Sequence, residues 1–104
     1  MVTVATGGGF GGKPRPAVVV QDDSFSSLST TVVLMFTTQE GGDPLLRPVF
    51  QPSDANGLRE TSRLMAHAPL TARLDDVGEK IGKLTPEEMS EVDRRLFLLL
   101  GFAR

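Results

Sequence analysis

The strongest strand signal in the sequence is the run Thr30-Thr-Val-Val-Leu-Met-Phe-Thr-Thr38. Its β-branched and aromatic side chains favour an extended backbone, and its apolar centre predicts burial. A second run, Ala17-Val-Val-Val20, is continuously apolar and predicts a strand that is buried on both faces. These two runs indicate a core built on a β-sheet.

Shorter stretches on either side predict further strands. The sequence alternates weakly over Val2-Thr-Val4, and because this strand has almost no lead-in we expect its usual start to be missing. Short strands are also expected within residues 45–50, 61–66 and 70–74, and a strand or an extended link within residues 80–84. Pro48 would place the first of these at an edge or a bulge.

The C-terminal region carries a clear helix signal. Thr85-Pro-Glu-Glu88 combines an N-capping threonine, a proline at the first helical position and a capping-box glutamate. Before the helix ends at Gly101, apolar residues recur at helical spacing on one face: Met89, Val92, Leu96 and Leu99. Residues 96–100 are apolar on every side, so either a partner or a concave sheet of the same chain must cover them.

Strands followed by one terminal helix predict a mostly β fold with a C-terminal helix. We expect a small, curved, mostly antiparallel barrel or sheet on which the helix packs. With 104 residues and 11.2 kDa, the chain should form a single domain over residues 1–104.

The composition excludes several classes of function. Eleven basic against 13 acidic residues exclude a basic nucleic-acid wrapper and a polyacidic tail, although not a local phosphate site. The absence of cysteine and the single histidine, His67, exclude disulfides, thiolate catalysis and the common zinc sites, so we expect no metal and no cofactor. The apolar runs are too short to span a membrane and no signal peptide is visible, so we expect a cytosolic protein.

A glycine-rich loop occupies residues 7–12 and is followed by Lys13. It fits the G-x-G-x-x-G pattern and most of a P-loop, but both motifs need a helix directly after the loop. Pro14 and Pro16 prevent that helix and hold the backbone extended. We therefore interpret the loop as a plain connection or as a mobile flap over a site.

The best candidate for chemistry is Arg15, between two prolines and at the entrance of a buried strand. A guanidinium held in this way is suited to bind a phosphate through paired hydrogen bonds. The alternative is a surface arginine that lies over the rim of the sheet. Thr37 and Thr38 end the strongest strand, where a hydroxyl can bond a phosphate oxygen, although threonine is also an ordinary strand residue.

The order of these elements resembles the MazF/PemK family, toxin ribonucleases of type II toxin–antitoxin systems. The resemblance runs from Val2 to Phe102, although the Arg-Gly-Asp-type lead-in usual in the family is absent. It rests on these segments in this order: Lys13-Pro-Arg-Pro-Ala-Val-Val-Val20, Phe36-Thr-Thr38, Gly57-Leu-Arg-Glu-Thr-Ser62, Lys80-Ile-Gly-Lys-Leu84 and the capped helix ending near Leu100-Gly-Phe102.

The resemblance implies an SH3-like barrel of the CcdB/MazF type and a homodimer. It also implies an endoribonuclease that cuts single-stranded mRNA without a metal. In this family the ribose 2′-OH is the nucleophile, and the products carry a 2′,3′-cyclic phosphate and a 5′-OH. The further partner that the family implies is an antitoxin protein that inhibits the toxin.

The family's residues can be carried over to matching positions. Its catalytic arginine falls on Arg15 and its catalytic threonine or serine on Thr37. The loop that covers the RNA falls on residues 7–13. We expect substrate binding by Phe10, Gly12, Lys13, Thr38 and Ser62. Phe10 could stack on a base or simply anchor the loop.

The chain departs from the family in the second half of the site. The acidic residue that some members place near the cut phosphate falls on His67, and neighbouring family positions fall on Met65 and Ala68. His67 could take over proton transfer, because histidine is the usual group for this role near neutral pH. The alternative is a strand histidine that only packs.

Two other functions stay open on the sequence. The first is a CcdB-like poison that binds DNA gyrase and cuts nothing. The absence of tryptophan speaks against it, because CcdB-like chains carry their gyrase contact in a tryptophan-containing C-terminus. The second is a catalytically inactive relative that only binds an antitoxin, which the departures at Met65, His67 and Ala68 would permit.

Overall fold

Strands make up most of the regular structure in the computed structural model, which describes residues 1–5 and 13–102. Two short 3₁₀ turns, Asp23–Phe25 and Leu74–Asp76, connect them. In chain order the strands and the helix are β1 (Val2–Ala5), β2 (Pro14–Val19), β3 (Thr30–Thr37), β4 (Val49–Phe50), β5 (Ser62–Leu64), β6 (Leu70–Arg73), β7 (Val77–Lys80) and α1 (Pro86–Leu100). The prediction of a mostly β chain with a C-terminal helix is confirmed.

The strands form one antiparallel sheet that divides at β3. Along its main path the order is β4-β5-β3-β2-β1-β7, and β6 pairs with β3 beside that path. The first half of β3 pairs with β6, and its last two residues pair with β5. Among the described strands, β4, β6 and β7 each pair with one neighbour, so the sheet does not close into a hydrogen-bonded barrel.

The strand boundaries differ from the predicted ones where turns compete with pairing. The strand expected within residues 45–50 is reduced to β4, because the Asp43 carboxylate accepts the amide hydrogen of Leu45 and its carbonyl accepts that of Leu46. The strand expected within residues 61–66 ends at Leu64, and His67 lies in the turn that follows. Near residues 80–84 the strand lies earlier, as β7, where it pairs with β1.

Both faces of the central strands are buried, as their continuous apolar runs predict. On one face Val18, Leu34 and Phe36 join the larger apolar cluster, which also contains Val92 of α1. On the other face Ala17, Val33 and Met35 belong to a second cluster that includes Val4 and Ala72. Because successive side chains of a strand point to opposite faces, a strand between two clusters needs apolar residues at every position.

The two prolines of β2 decide where its pairing ends. On the β1 side the ladder runs from Ala17 to Pro14, whereas on the β3 side it stops at Ala17, opposite Met35. Proline has no amide hydrogen to donate, so a segment with Pro14 and Pro16 cannot continue a full ladder on both sides. The start of β2 and the end of β3 are therefore not joined by ladder hydrogen bonds.

Helix α1 begins and ends as its sequence predicts. The Thr85 hydroxyl accepts the amide hydrogen of Glu88 (3.1 Å), the Glu88 carboxylate accepts that of Thr85 (2.9 Å), and Gly101 ends the helix with a left-handed φ of 81°. Val92 is fully buried, with Met89 and Leu96 packed beside it. The sheet of the same chain does not cover the last turn, where these side chains stay exposed: Phe97, Leu98, Leu100 and Phe102.

A buried asparagine joins this helix to the loop before β5. The Nδ2 of Asn56 donates to the Gln51 carbonyl (2.9 Å) and to the Glu88 carboxylate (3.0 Å). Its Oδ1 accepts the amide hydrogens of Ser53 (3.0 Å) and Leu58 (2.9 Å). Because Asn56 is fully buried, it holds residues 51–58 in place from inside the protein.

We expect Asn56→Ala to lower the free energy of unfolding by about 2–3 kcal/mol, because it leaves buried backbone groups without their hydrogen-bond partners. Urea denaturation followed by circular dichroism measures this change. The matched control is Asp54→Ala in the same loop, whose exposed side chain should contribute less than about 0.5 kcal/mol. Equal stabilities for the two variants would contradict the role given to Asn56.

Candidate functional site

Two clefts meet where β2 and β3 separate. The first, here the proline cleft, has a volume of about 450 Å³ and lies between the start of β2, with Pro14 and Pro16, and residues 57–60. The second, here the methionine cleft, has a volume of about 670 Å³ and reaches from β3 to Met65 and Leu70. Four residues line both clefts: Arg15, Phe36, Thr37 and Thr38.

Arg15 is held at this meeting point by its strand. It pairs with Val4 of β1, and its side chain is exposed. The β2–β3 ladder ends at the pair Ala17 and Met35. Continued by two residues past this pair, its register would bring Arg15 level with Thr37. Side chains level with each other on neighbouring antiparallel strands lie on the same face. The chain therefore brings a guanidinium and a hydroxyl together at one opening.

The hydroxyls of the site are oriented by short local contacts. The Thr37 hydroxyl oxygen accepts the amide hydrogen of Gln39 (3.1 Å), so its own hydrogen can still be donated to a ligand. Thr38 is exposed beside it. Ser62 is buried in the wall of the proline cleft and donates its hydroxyl hydrogen to the Glu60 carbonyl (2.9 Å).

The opposite wall of the proline cleft depends on a close backbone approach. Gly57 has a φ of 76°, and a side chain there would collide with the carbonyl of Ile81. Only glycine adopts this conformation readily. Leu58, buried next to it, anchors the wall in the core, and the exposed Arg59 and Glu60 follow along the rim.

The structure brings together four of the eight residues predicted for the site. Arg15, Thr37, Thr38 and Ser62 line the proline cleft. Lys13 is exposed just before β2 and lines neither cleft, while Phe10 and Gly12 lie outside the described residues.

His67 does not lie in a strand, as the carry-over placed it. It is exposed in the turn after β5, and it lines neither cleft, although its neighbours Met65 and Ala68 line the methionine cleft.

The clefts contain charged residues that were not predicted for the site from the sequence. Glu60 is the one acidic side chain among the described residues lining the proline cleft, and Arg59 lies next to it. Both belong to Gly57-Leu-Arg-Glu-Thr-Ser62, a segment used for the resemblance from which only Ser62 was assigned a role. Arg47, which lines the methionine cleft, had no signal beyond its position after a turn.

Residues 1–5 and 13–102 lack two features, a cluster of metal-binding side chains and a membrane-spanning helix. That part of the chain holds no group of three or more histidine, aspartate or glutamate side chains placed to bind a metal ion. It also contains no helix that is long and apolar enough to cross a membrane.

Comparison with known proteins finds a matching family and similar proteins over nearly the whole chain. Residues 1–100 match the model of a family described as PemK-like, MazF-like toxins of type II toxin–antitoxin systems. A protein of Mycolicibacterium smegmatis described as a probable endoribonuclease MazF is 37% identical over 101 residues, which cover 97% of this chain and 93% of the relative.

Solved structures show the same fold. The Mycobacterium tuberculosis toxin MazF-mt6 superposes with a TM-score of 0.78 at 19% identity, covering 96% of this chain and 95% of that one. An endoribonuclease in complex with its cognate antitoxin, from a mycobacterial species, superposes with a TM-score of 0.77 at 24% identity, covering 96% and 90%. The arrangement of the strands and the terminal helix is therefore shared with these structures.

Proposed function

Because the chain belongs to the family of PemK-like, MazF-like toxins of type II toxin–antitoxin systems, we propose that it is an endoribonuclease that cuts single-stranded RNA at the meeting point of its two clefts. The observation that carries this proposal is that Arg15 and Thr37 both line the two clefts where these meet. The clefts open on both sides of this pair, so an extended strand has room before and after the cut.

The chemistry follows from what RNA cleavage through the 2′-OH requires. The 2′ oxygen loses its proton and attacks the adjacent phosphorus, and the bond from phosphorus to the 5′ oxygen breaks. The products are a 2′,3′-cyclic phosphate and a 5′-OH, whose proton comes from water or from a protein acid. Arg15 stabilises the negative charge that develops on the phosphate oxygens, and the Thr37 hydroxyl donates a hydrogen bond to one of them. None of these roles uses a metal ion.

The remaining role is that of the base that accepts the 2′-OH proton. His67 was assigned this role from the family pattern, but it lies in a turn outside the lining of both clefts. Glu60 lines the proline cleft together with Arg15 and Thr37. A base must come within hydrogen-bond reach of the proton, so its position favours Glu60 over His67.

The proposed partners are the RNA and an antitoxin. The solved relative in complex with its cognate antitoxin supports a protein inhibitor for this chain too. We infer a disordered acidic segment that folds over the clefts and competes with RNA for Lys13 and Arg15. The proposed substrate, mRNA, places the reaction in the cytosol.

A homodimer is the proposed assembly. The last turn of α1 exposes an apolar patch in which the rings of Phe97 and Phe102 are 53% and 74% exposed and lie edge to face, 6.1 Å apart. Contiguous apolar patches of this kind mark interaction surfaces, and a second copy of the chain would cover this one.

We expect Arg15→Ala to lower the rate of RNA cleavage by about two to three decades, because it removes charge stabilisation of the transition state. The measurement is single-turnover cleavage of an RNA, with circular dichroism as the check on folding. The matched control is Arg73→Ala, which removes an equal charge from an exposed position at the opposite end of β3.

Thr37→Ala should lose less activity than Arg15→Ala, because the lost hydrogen bond carries no charge.

Undiminished cleavage by a folded Arg15→Ala protein would show that the catalytic role assigned to Arg15 is wrong. A wild-type protein that binds RNA or the antitoxin without cutting RNA would instead support the inactive-relative alternative.

The pH dependence of cleavage distinguishes the two candidate bases. A base must be deprotonated to work, so the rate should rise with pH through its inflection. Histidines in proteins titrate near neutral pH, and carboxylates about two units lower. With Glu60 as the base, Glu60→Gln should reduce the rate and remove its rise with pH, whereas His67→Ala should keep the wild-type profile. Loss of the rise with pH in His67→Ala would return the role to His67.

Sedimentation equilibrium tests the dimer. We expect a homodimer at micromolar concentration, and a shift to monomer in Phe97→Lys, because a buried charge without a partner opposes association. Phe25→Lys, at a ring 56% exposed in a 3₁₀ turn elsewhere, should remain dimeric. A wild-type monomer would rule out any RNA channel that needs two subunits.

A further inference from the structure

Arg63 lies on the other side of Thr37 from Arg15. In the β3–β5 ladder Arg63 is the direct partner of Thr37. Its neighbours in β5, Ser62 and Leu64, are both buried, whereas Arg63 is half-buried. Because alternate residues of a strand point to opposite faces, and directly paired residues share a face, the Arg63 side chain lies on the same face as Thr37.

The sheet therefore carries a row of Arg15, Thr37 and Arg63 on three neighbouring strands. Paired strands lie about 4.8 Å apart, so Arg63 stands directly beside Thr37, whereas Arg15 faces Thr37 across the opening between β2 and β3. An arginine side chain is long enough to reach well beyond its own strand. A chain that places one phosphate at Arg15 and Thr37 would pass Arg63 on its way out of the site.

Arg47 approaches the same side of the row from the loop before β4. Its Nη1 donates to the Gly41 carbonyl (3.0 Å), and its side chain lies against Gly42, whose φ of 82° and missing Cβ leave the room. The buried Nε of Arg47 has no hydrogen-bond partner among the residues that the structure describes. The loop thus fixes this guanidinium in advance while leaving part of its donor capacity unused.

One depression connects Arg47 and Arg63. It has a volume of about 290 Å³ and is lined by both arginines together with residues of the Gly41–Gly42 turn. Arg47 also lines the methionine cleft with Arg15 and Thr37, so the depression continues directly from the candidate site. The ion pairs found in the described part of the chain involve Arg73, Arg94 and Arg95, which leaves Arg47 and Arg63 without a carboxylate there.

We propose that Arg47 and Arg63 form a second phosphate subsite, which binds the RNA backbone phosphate next to the one that is cut. This inference rests on the proposed endoribonuclease function. Two guanidiniums without carboxylates suit a phosphate, whose oxygens accept paired hydrogen bonds. The subsite positions the strand and takes no part in bond breaking. An acidic peptide is the less favoured ligand, because the depression continues the path of an RNA strand from Thr37.

The test uses an RNA oligonucleotide that spans a cleavage site mapped on a long RNA and carries 2′-deoxyribose at the cut nucleotide, so that it binds without reacting. Binding is followed by fluorescence anisotropy over a range of salt concentrations. Each neutralised phosphate contributes about 0.7 to the slope of log affinity against log salt for single strands. Arg63→Gln and Arg47→Gln should each weaken binding about tenfold at low salt and lower the slope by part of that amount, and the double variant should lower the slope by about 0.7.

The cleavage step separates binding from chemistry. At saturating enzyme, the single-turnover rate on the all-ribose oligonucleotide should stay within about twofold of wild type for both variants, whereas Arg15→Ala should lose the reaction itself. Gln keeps most of the aliphatic stem, which preserves packing at Arg63 between two buried neighbours. Arg63→Lys keeps the charge and should keep the salt slope.

Two matched variants test the geometry. Arg73→Gln removes an equal charge at the far end of β3, beside Thr30, and should leave the affinity and the salt slope at their wild-type values. Gly42→Ala leaves every charge in place but would push Arg47 out of its position, so it should weaken RNA binding in the same direction as Arg47→Gln.

These experiments distinguish failure of the proposed function from failure of the subsite alone. A wild-type protein that cuts no RNA overturns the proposed function, and the subsite with it. A wild-type protein that cuts RNA, with Arg47→Gln and Arg63→Gln at wild-type affinity and salt slope, overturns the subsite alone. The subsite is also overturned if these two variants lose binding to an acidic peptide such as oligoglutamate but retain RNA binding.

Discussion

The site depends on the absence of ladder hydrogen bonds between the start of β2 and the end of β3. Pro14 and Pro16 lack the amide hydrogens that a strand between two neighbours must donate, so the start of β2 (Pro14–Ala17) pairs with β1, whereas β3 pairs with β2 only from Ala17 onward. A strand pairing on both sides would close the sheet at this point. Instead, the end of β3 stands apart from the start of β2, and Arg15 and Thr37 line the space between them.

The rest of the fold holds this opening in a fixed shape. Burial of β3 on both faces makes it the rigid centre of the sheet, and its division between β6 and β5 brings Arg63 level with Thr37. The opposite wall is anchored by Asn56, whose hydrogen bonds reach the capping box of α1 through Glu88. A helix cap more than 20 residues away in sequence therefore supports the wall of the cleft.

Local signals in the sequence were sufficient for most of the fold and for the centre of the site. The β-branched run ending at Thr37, the Thr85 capping box and the proline-flanked Arg15 each determine their own conformation locally, and each lies where its pattern predicts. Short strands were harder, because turn hydrogen bonds at Asp43 shortened β4 and a turn removed His67 from β5. The roles of Glu60, Arg47 and Arg63 depend on tertiary pairing, which no local pattern encodes.

The most direct test of this account is the incubation of a long RNA with the purified protein in the presence of EDTA, followed by analysis of the fragment ends. The account predicts cleavage that persists in EDTA, and fragments with 2′,3′-cyclic phosphate and 5′-OH ends. Such ends arise only when the ribose 2′-OH is the attacking group. Intact RNA, or fragments with 5′-phosphate ends formed only when a divalent metal is supplied, would contradict it.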